Sequence, residues 1–450
     1  MREVRIRDTL SGEPRALDPT GEVGIYACGP TVYSRIHVGN ARPFVVFSLF
    51  ARFLRSEGYA TRLVINVTDV NDKIYAAATR MGEPSAEFAA RMTAAYLEDT
   101  DRLGLGRPDA EPLATETIGG IVALIADLVE SGYAYESGGD VYFRVRSFEG
   151  YGKLSNRRTE DMDQGEEAGA ASLKEDRLDF ALWKAHKEGE DTSWDSPWGR
   201  GRPAWHVECS VMAEQELGAS FAIHGGGSDL VFPHHENEIA QSEAAGRPFA
   251  QIWMHNGMVE ADAAKMSKSE GNIFQLSEAL DAYGREAVVD YLISGHYRQP
   301  LAFGPAQMEQ AVARVERLRN FFREHPIGEE DRASPSDATA ARISAFRDAL
   351  ADDFNTPRAM AKAFELVAEA NRGDVAGAPV ALREMLELVG LGSLAATEES
   401  AGSEAEVLMA EREEARAARD FERADAIRDR LAGLGWEVRD SASGPRLVRR

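Results

Sequence analysis

Residues 23–67, VGIYACGPTVYSRIHVGNARPFVVFSLFARFLRSEGYATRLVINV, decide the fold. Val23 to Cys28 is a short β-type run that stops at Gly29-Pro30. A loop through Gly39 follows, and the next stretch sets Phe44, Phe47, Ala51 and Leu54 on one helical face. Pro43 suits the first turn of that helix, where a missing N–H costs nothing. Leu63 to Val67 reads as the next strand. Strand, helix and strand within about fifty residues form a βαβ unit, so the class is α/β with a doubly wound parallel sheet. Ala219 to His224, followed by Gly225, Gly226 and Gly227, reads as another strand of that sheet with its ligand-side loop.

Outward from this unit, 450 residues exceed one compact core and predict two to four domains. An insertion over 117–198 separates the two halves of the sheet; it holds the strand-like Val141-Tyr142-Phe143 and a Gly/Glu/Ala-rich stretch from Gln164 to Ala171. Beyond Pro305 the period turns helical, with Val312, Val315 and Leu318 on one face, then Ile343, Phe346 and Leu350, then Ala361, Phe364 and Val367. Pro326 to Pro335 is an acidic connector, and 392–406 is poor in large apolar residues and reads as a linker. A small domain over 407–450 closes the chain, with one arginine-rich helix and a strand-like ending at Trp436 to Val438.

The polar start MREVRIRDTLSG predicts no signal peptide, and the longest apolar run, Pro43 to Ala51, is far short of the roughly 20 residues a membrane helix needs. Two cysteines build no disulfide framework, which points to a reducing, cytoplasmic compartment. The net charge of −24 argues against a simple nucleic-acid binder. Residues 412–450, however, carry ten arginines against eight acids, a local surplus that suits contact with phosphates.

Three constellations carry chemistry. His37-Val38-Gly39-Asn40 lies between the first strand and its helix, where imidazole and amide groups and the helix dipole favour phosphate. Alone it is indistinguishable from an ordinary turn. Lys265-Met266-Ser267-Lys268-Ser269, followed by Glu270-Gly271-Asn272, suits a loop that closes on a polyphosphate; alone it is an exposed basic turn. The third is a metal-ligating set. Five of the nine histidines (His206, His224, His234, His235 and His255) fall between 206 and 255, alongside Cys209. His234 and Glu238 stand four apart, on one face of a helix, and Cys28 closes the first strand. Thiolate, imidazole and carboxylate are ordinary zinc ligands, although a single cysteine is more often a buried small hydrophobe.

Together these residues resemble cysteinyl-tRNA synthetase, a class I aminoacyl-tRNA synthetase. The likeness runs from Gly24 to the C-terminus, through YACGPTVYSRIHVGNARPFVVF, INVTDVNDKI, FALWK, SPWGRGRPAWHVECS, IHGGGSDLVFPHHENEIAQ, WMHNGMV, KMSKSEGN and ISGHYR. The resemblance implies a split Rossmann-type catalytic domain in two halves (1–116 and 199–255) around a connective insertion, a lysine-signature and stem-contact region over 256–305, a helical bundle over 306–391 and anticodon recognition over 407–450. It implies one Zn²⁺ on Cys28, Cys209, His234 and Glu238. His235 is the rival ligand, turned about 100° from His234 if the segment is a regular helix. His37, Asn40, Lys265 and Lys268 would act on ATP and its Mg²⁺. The family commonly has histidine where this chain has Asn40; an amide also donates a hydrogen bond. Gly39, Gly225, Gly226, Gly227 and Asp229 would hold the nucleotide, and Thr68 and Trp205 would line the amino-acid pocket.

What the resemblance implies chemically is activation of L-cysteine to cysteinyl-adenylate and transfer to tRNA(Cys), by a monomer, with the metal selecting the thiol. Arg428, Arg430 and Trp436 are candidates for reading the anticodon. The nearest alternative is a cysteine ligase of mycothiol biosynthesis on the same catalytic core, which lacks the C-terminal portion present here. A zinc hydrolase leaves the lysine signature unexplained, and a plain RNA-binding module leaves both ATP signatures unexplained.

Overall fold

The computed structural model describes residues 1–162, 172–261, 264–265, 274–327, 337–373, 375–396, 403–418, 420–434, 436–441 and 444–449. At its centre stand four parallel strands in the order Phe249–Asn256, Ser220–Gly227, Val23–Ala27 and Thr61–Ile65. Parallel strands are covered on both faces, and all five residues of Val23–Ala27 are buried. The helix Val38–Ser56 makes the first crossover and buries Phe44, Phe47, Phe50 and Leu54 in the main core.

Three local expectations are corrected here. The helix starts at Val38, five residues before Pro43, so the proline lies inside it, past the first turn. The cause is a reciprocal cap: the Asn40 N–H donates to His37 Nδ1 (3.3 Å) and the His37 N–H donates to Asn40 Oδ1 (3.4 Å). The second strand is Thr61–Ile65 and stops before Val67; the chain beyond it turns to the first strand's loop, where the Thr68 N–H donates to the Pro30 carbonyl. The glycine triplet is not a loop. Gly225, Gly226 and Gly227 continue the strand and pair with Met254, His255 and Asn256.

The insertion is an antiparallel sheet of Ala134–Ser137, Asp140–Phe143, Phe180–Ala185 and Gly201–Pro203, backed by the helix Ile118–Glu130 around Phe143, Phe180, Leu182 and Trp183. Its last strand lies beyond the expected boundary at 198, and Arg202, buried in that strand, pairs with Glu190 and Asp72. The expected Gln164–Ala171 stretch lies outside the described residues.

The helices Pro305–Glu324, Asp337–Ala351, Thr356–Ala370 and Ala378–Leu388 follow. The segment read as a linker is narrower than 392–406: Leu394 in the turn Gly392–Ala395 is buried in the main core, and a helix begins at Ser403. The final unit has two helices, Ser403–Ala417 and Phe421–Gly433, and a hairpin of Trp436–Ser441 with Gly444–Arg449. Leu408, Ile427 and Leu431 form its small core. Among the described residues no helix is long and apolar enough to cross a membrane.

Candidate active site and metal cluster

A cleft of about 360 Å³ opens at the C-terminal ends of the parallel strands, where ligands of such sheets bind. Cys28 and Gly29, at the end of the first strand, line one part of it. His37, Gly39 and Asn40, at the start of the signature helix, line another. Asn40 spends its carbonyl oxygen on the cap, which leaves its NH₂ group as the donor half toward the cleft.

The lysine signature is attached to the same wall. Gly257, Met258 and Val259 line the cleft, and Val259–Ala261 pairs with Ala264–Lys265. On the far side of the signature, Phe274 accepts from the Val38 N–H and the Leu276 N–H donates to Ile36, with Gln275 bridged to His37. Lys265 is thus described as backbone of a short strand, whereas Lys268 lies outside the described residues. The wall is braced from behind by Arg42. Its buried guanidinium donates to the carbonyls of Gly257 (2.6 Å), Gln299 (2.7 Å), Met258 and His296 (3.2 Å each). With no carboxylate among the described residues beside it, burial pulls Arg42 down to about 10.

Asp229 and Gly227 line the cleft, and so does Trp205, whose ring stacks on His234 at 4.1 Å. Gly225 and Gly226 do not. A Cβ on Gly225 would lie 2.1 Å from Phe47 Cζ, so this glycine admits a core side chain where a nucleotide contact was expected. Thr68 is also absent from the lining; it is fully buried and its hydroxyl accepts from Asn66 Nδ2 (3.4 Å). Arg35, Lys73 and Asn256 line the cleft without having been singled out. Lys73 sits in INVTDVNDKI, at the start of the helix Asp72–Met81, so its motif position was the available signal.

Beneath the cleft Cys28, His234, His235 and Glu238 bring ligand atoms within 4.8 Å of one another, and of the expected set Cys209 stands outside this group, beside Cys28. Cys28 Sγ lies 3.7 Å from Cys209 Sγ, 3.5 Å from His234 Nε2 and 3.8 Å from Glu238 Oε1; His234 Nε2 lies 3.1 Å from Glu238 Oε1. A tetrahedral shell with bonds of about 2.0–2.3 Å separates its ligand atoms by about 3.3–3.8 Å, so these spacings fit a zinc-sized cation. His235 Nε2 is here as well, 3.4 Å from Cys28 Sγ and 3.9 Å from Glu238 Oε1. The sequence reading turned it away on the assumption of a regular helix. Instead, Val231–His235 is an irregular turn with an extended Phe232 (φ −140°, ψ 132°), which carries both histidines inward.

The surroundings hold these groups in place. His224 Nε2 sits 2.8 Å from Glu238 Oε2, His206 Nδ1 is 2.9 Å from His234 Nδ1, and His235 Nδ1 is 2.7 Å from His255 Nε2. Burial drives the Cys28 thiol and the Glu238 carboxyl well up, His234 and His235 well down, and His206, His224 and His255 down to about 3. Such a cluster is neutral by itself; a divalent cation compensates the thiolate and carboxylate charges that burial otherwise suppresses.

Comparison with known proteins agrees with this architecture. The family described as tRNA synthetases class I (C) catalytic domain matches residues 16–313, the DALR domain matches 345–391, and the cysteinyl-tRNA ligase anticodon binding domain matches 399–444. The chain is 45% identical to the cysteine–tRNA ligase of Azotobacter vinelandii, over 98% of each, and 43% identical to that of Caldicellulosiruptor saccharolyticus, over 99% of this chain and all of that protein. Among solved structures, Mycobacterium tuberculosis methionyl-tRNA synthetase with methionyl-adenylate aligns at a TM-score of 0.59, 14% identity and coverage of 83% of this chain and 90% of that one. The ternary complex of an Agrobacterium radiobacter LeuRS gives 0.59, 12%, 85% and 86%. These two share the fold. The sheet, the cleft, the three matched domains and the full-length relatives agree: the chain belongs to the cysteinyl-tRNA synthetase family of class I aminoacyl-tRNA synthetases and is a cysteine–tRNA ligase.

Proposed function

We propose that the enzyme activates L-cysteine with ATP in this cleft and selects the substrate by its thiol through one zinc ion held by Cys28, Cys209, His234 and Glu238. The supporting observation is a shared residue: Cys28 lines the nucleotide-side cleft and is also the centre of the metal cluster. Cys209 is taken as fourth ligand from the family likeness, its sulfur 3.7 Å from Cys28 Sγ; His235, whose Nε2 groups with Cys28, His234 and Glu238 within 4.8 Å, is the rival that the substitutions must decide. When bound, the zinc supplies a soft Lewis acid that favours sulfur over the oxygen of serine. An apolar pocket alone rejects such a near-isostere by only about 1–3 kcal/mol.

The remaining work falls to the chain's own groups. The substrate carboxylate is already a nucleophile, so attack on the α-phosphorus of ATP needs no general base; positioning and charge stabilisation dominate. The start of the signature helix, with His37 and the Asn40 amide, receives the phosphates. Lys265 and Lys268, with Mg²⁺ brought by ATP, neutralise the departing pyrophosphate. Gly39, Gly227 and Asp229 border the adenosine, and Trp205 covers the amino-acid side. The terminal hydroxyl of tRNA(Cys) then takes the cysteinyl group. The test is ATP–pyrophosphate exchange with cysteine and with serine, before and after zinc removal. Exchange that prefers cysteine and collapses on zinc removal supports the proposal; equal use of serine by the zinc-loaded enzyme overturns it.

A further inference from the structure

The carboxylate two residues before Glu238 faces the opposite way. Glu236 is fully buried, yet among the described residues no lysine or arginine pairs with it. Its oxygens instead accept from one short loop of the insertion: Oε1 from the N–H of Gly152 (2.9 Å) and of Leu154 (3.3 Å), Oε2 from the N–H (2.8 Å) and the hydroxyl (2.8 Å) of Ser155. A carboxylate satisfied by several converging donors is held tightly in position and direction.

The loop is shaped for this. Gly152 has φ +98°, and a Cβ there would lie 2.2 Å from the Arg157 carbonyl oxygen. That tight turn aims the N–H groups of Gly152, Leu154 and Ser155 inward, while the Lys153 N–H donates to the Gly150 carbonyl. The same loop reaches the metal turn on both flanks. Tyr151 donates its hydroxyl to Asn237 Oδ1, Lys153 Nζ lies 2.6 Å from Glu243 Oε1, and the Arg157 guanidinium covers the Phe232 ring at 4.6 Å. The turn Val231–His235 is broken by the extended Phe232, so its placement depends on contacts from outside as well as on the His206 and His255 partners of its histidines.

We infer that the 151–157 loop of the insertion is a clamp that sets the metal-binding turn, with Glu236 as its positioning residue. The inference rests on the zinc reading above. Glu236 does not line the cleft; it fixes the start of the helix that carries Glu238 and, through it, the register of His234 and His235 against Cys28.

Glu236→Gln keeps the shape but sets an NH₂ group against N–H donors; Ser155→Ala removes one donor of four and leaves the loop backbone intact. Three measurements on the full-length enzyme decide. Zinc release into a chromophoric chelator is expected to be at least tenfold faster in Glu236→Gln and about threefold faster in Ser155→Ala. The KM for cysteine in pyrophosphate exchange is expected to rise more than the KM for ATP. In zinc-stripped protein, amide hydrogen exchange over 231–238 is expected to quicken in both variants. Wild-type zinc release in a folded Glu236→Gln, or in Ser155→Ala should the first variant not fold, overturns the clamp. Equal rises in both KM values do the same. A wild-type enzyme that holds no zinc sinks the metal reading instead, and the hydrogen-exchange comparison still tests the clamp.

Discussion

Phe47 of the signature helix fills the space that any side chain on Gly225 would need, 2.1 Å from ring carbon to a Cβ built there. The contact locks the first crossover onto the strand that leads into the cleft. Gly225→Ala is therefore expected to destabilise the protein by about 1–3 kcal/mol through overpacking. Phe47→Leu in the same chain should recover part of that loss. Urea denaturation of the two single variants and the double variant measures the coupling, and strict additivity would refute the contact as the cause.

The proposed metal ligands separate by substitution. Cys209→Ser and His234→Ala are expected to purify with well under one zinc per chain, whereas His235→Ala retains close to one and loses it faster, since His235 then acts as a neighbour of the shell. Elemental analysis of freshly purified variants reads this directly. If His235→Ala is empty and Cys209→Ser is full, the fourth ligand is His235.

Arg42 binds four carbonyls, so its removal orphans acceptors in a closed interior. Arg42→Met should cost at least about 2 kcal/mol, and Arg42→Lys should recover little, because an ammonium lacks the planar fork that spans Gly257 and Gln299. Denaturant midpoints test the stability. Pyrophosphate exchange in the folded fraction should show a fall in kcat, as the strand leading to the lysine signature loses its brace.

Asp290 gives a pH signature in the helical region. Burial raises its carboxyl to about 6, against the pull of Arg314 at 2.7 Å. A carboxyl raised in the folded state holds its proton there more tightly than in the unfolded chain. Its contribution to stability is complete below about pH 4 and is lost as pH climbs to about 6. Asp290→Asn removes that fall. The difference in unfolding free energy between the two proteins should change between pH 4 and 6 and be flat above pH 7.

The C-terminal unit has its own small core, Leu408, Ile427 and Leu431 among it, and carries the anticodon-binding match. Cutting the chain near residue 402 is expected to leave cysteine-dependent pyrophosphate exchange within about twofold and to abolish tRNA charging under matched conditions. Loss of exchange in a folded truncated protein would contradict this division of labour.

The sequence made the crossover legible because Phe44, Phe47, Ala51 and Leu54 repeat at helical spacing beside a wholly apolar strand. The ligand set of Cys28, Cys209, His234 and Glu238 was implied only by the family likeness, since Cys28 follows the first strand, Cys209 lies on the helix Trp205–Leu217, His234 in the turn Val231–His235 and Glu238 on the helix after it. What sequence spacing hid is equally specific. The glycines at 225–227 look like a loop because nothing in the local sequence tells of Phe47 arriving from a helix far earlier in the chain. His235 looked averted because a 100° step presumes a regular helix. Thr68 stood beside motif residues in sequence, but beyond the strand end its backbone pairs with Pro30 and its side chain is buried. The helix from Ser403 was lost in a Glu/Ala-rich run whose buried positions are few.

Cys28 and Cys209 are the chain's two cysteines, and their sulfurs stand 3.7 Å apart beneath the cleft. Labelling chemistry on this enzyme consequently has no background. Every equivalent of a sulfhydryl reagent consumed by the native protein reports on this one location, so protection of both groups by metal, by substrate or by neither can be followed without a single engineered mutation.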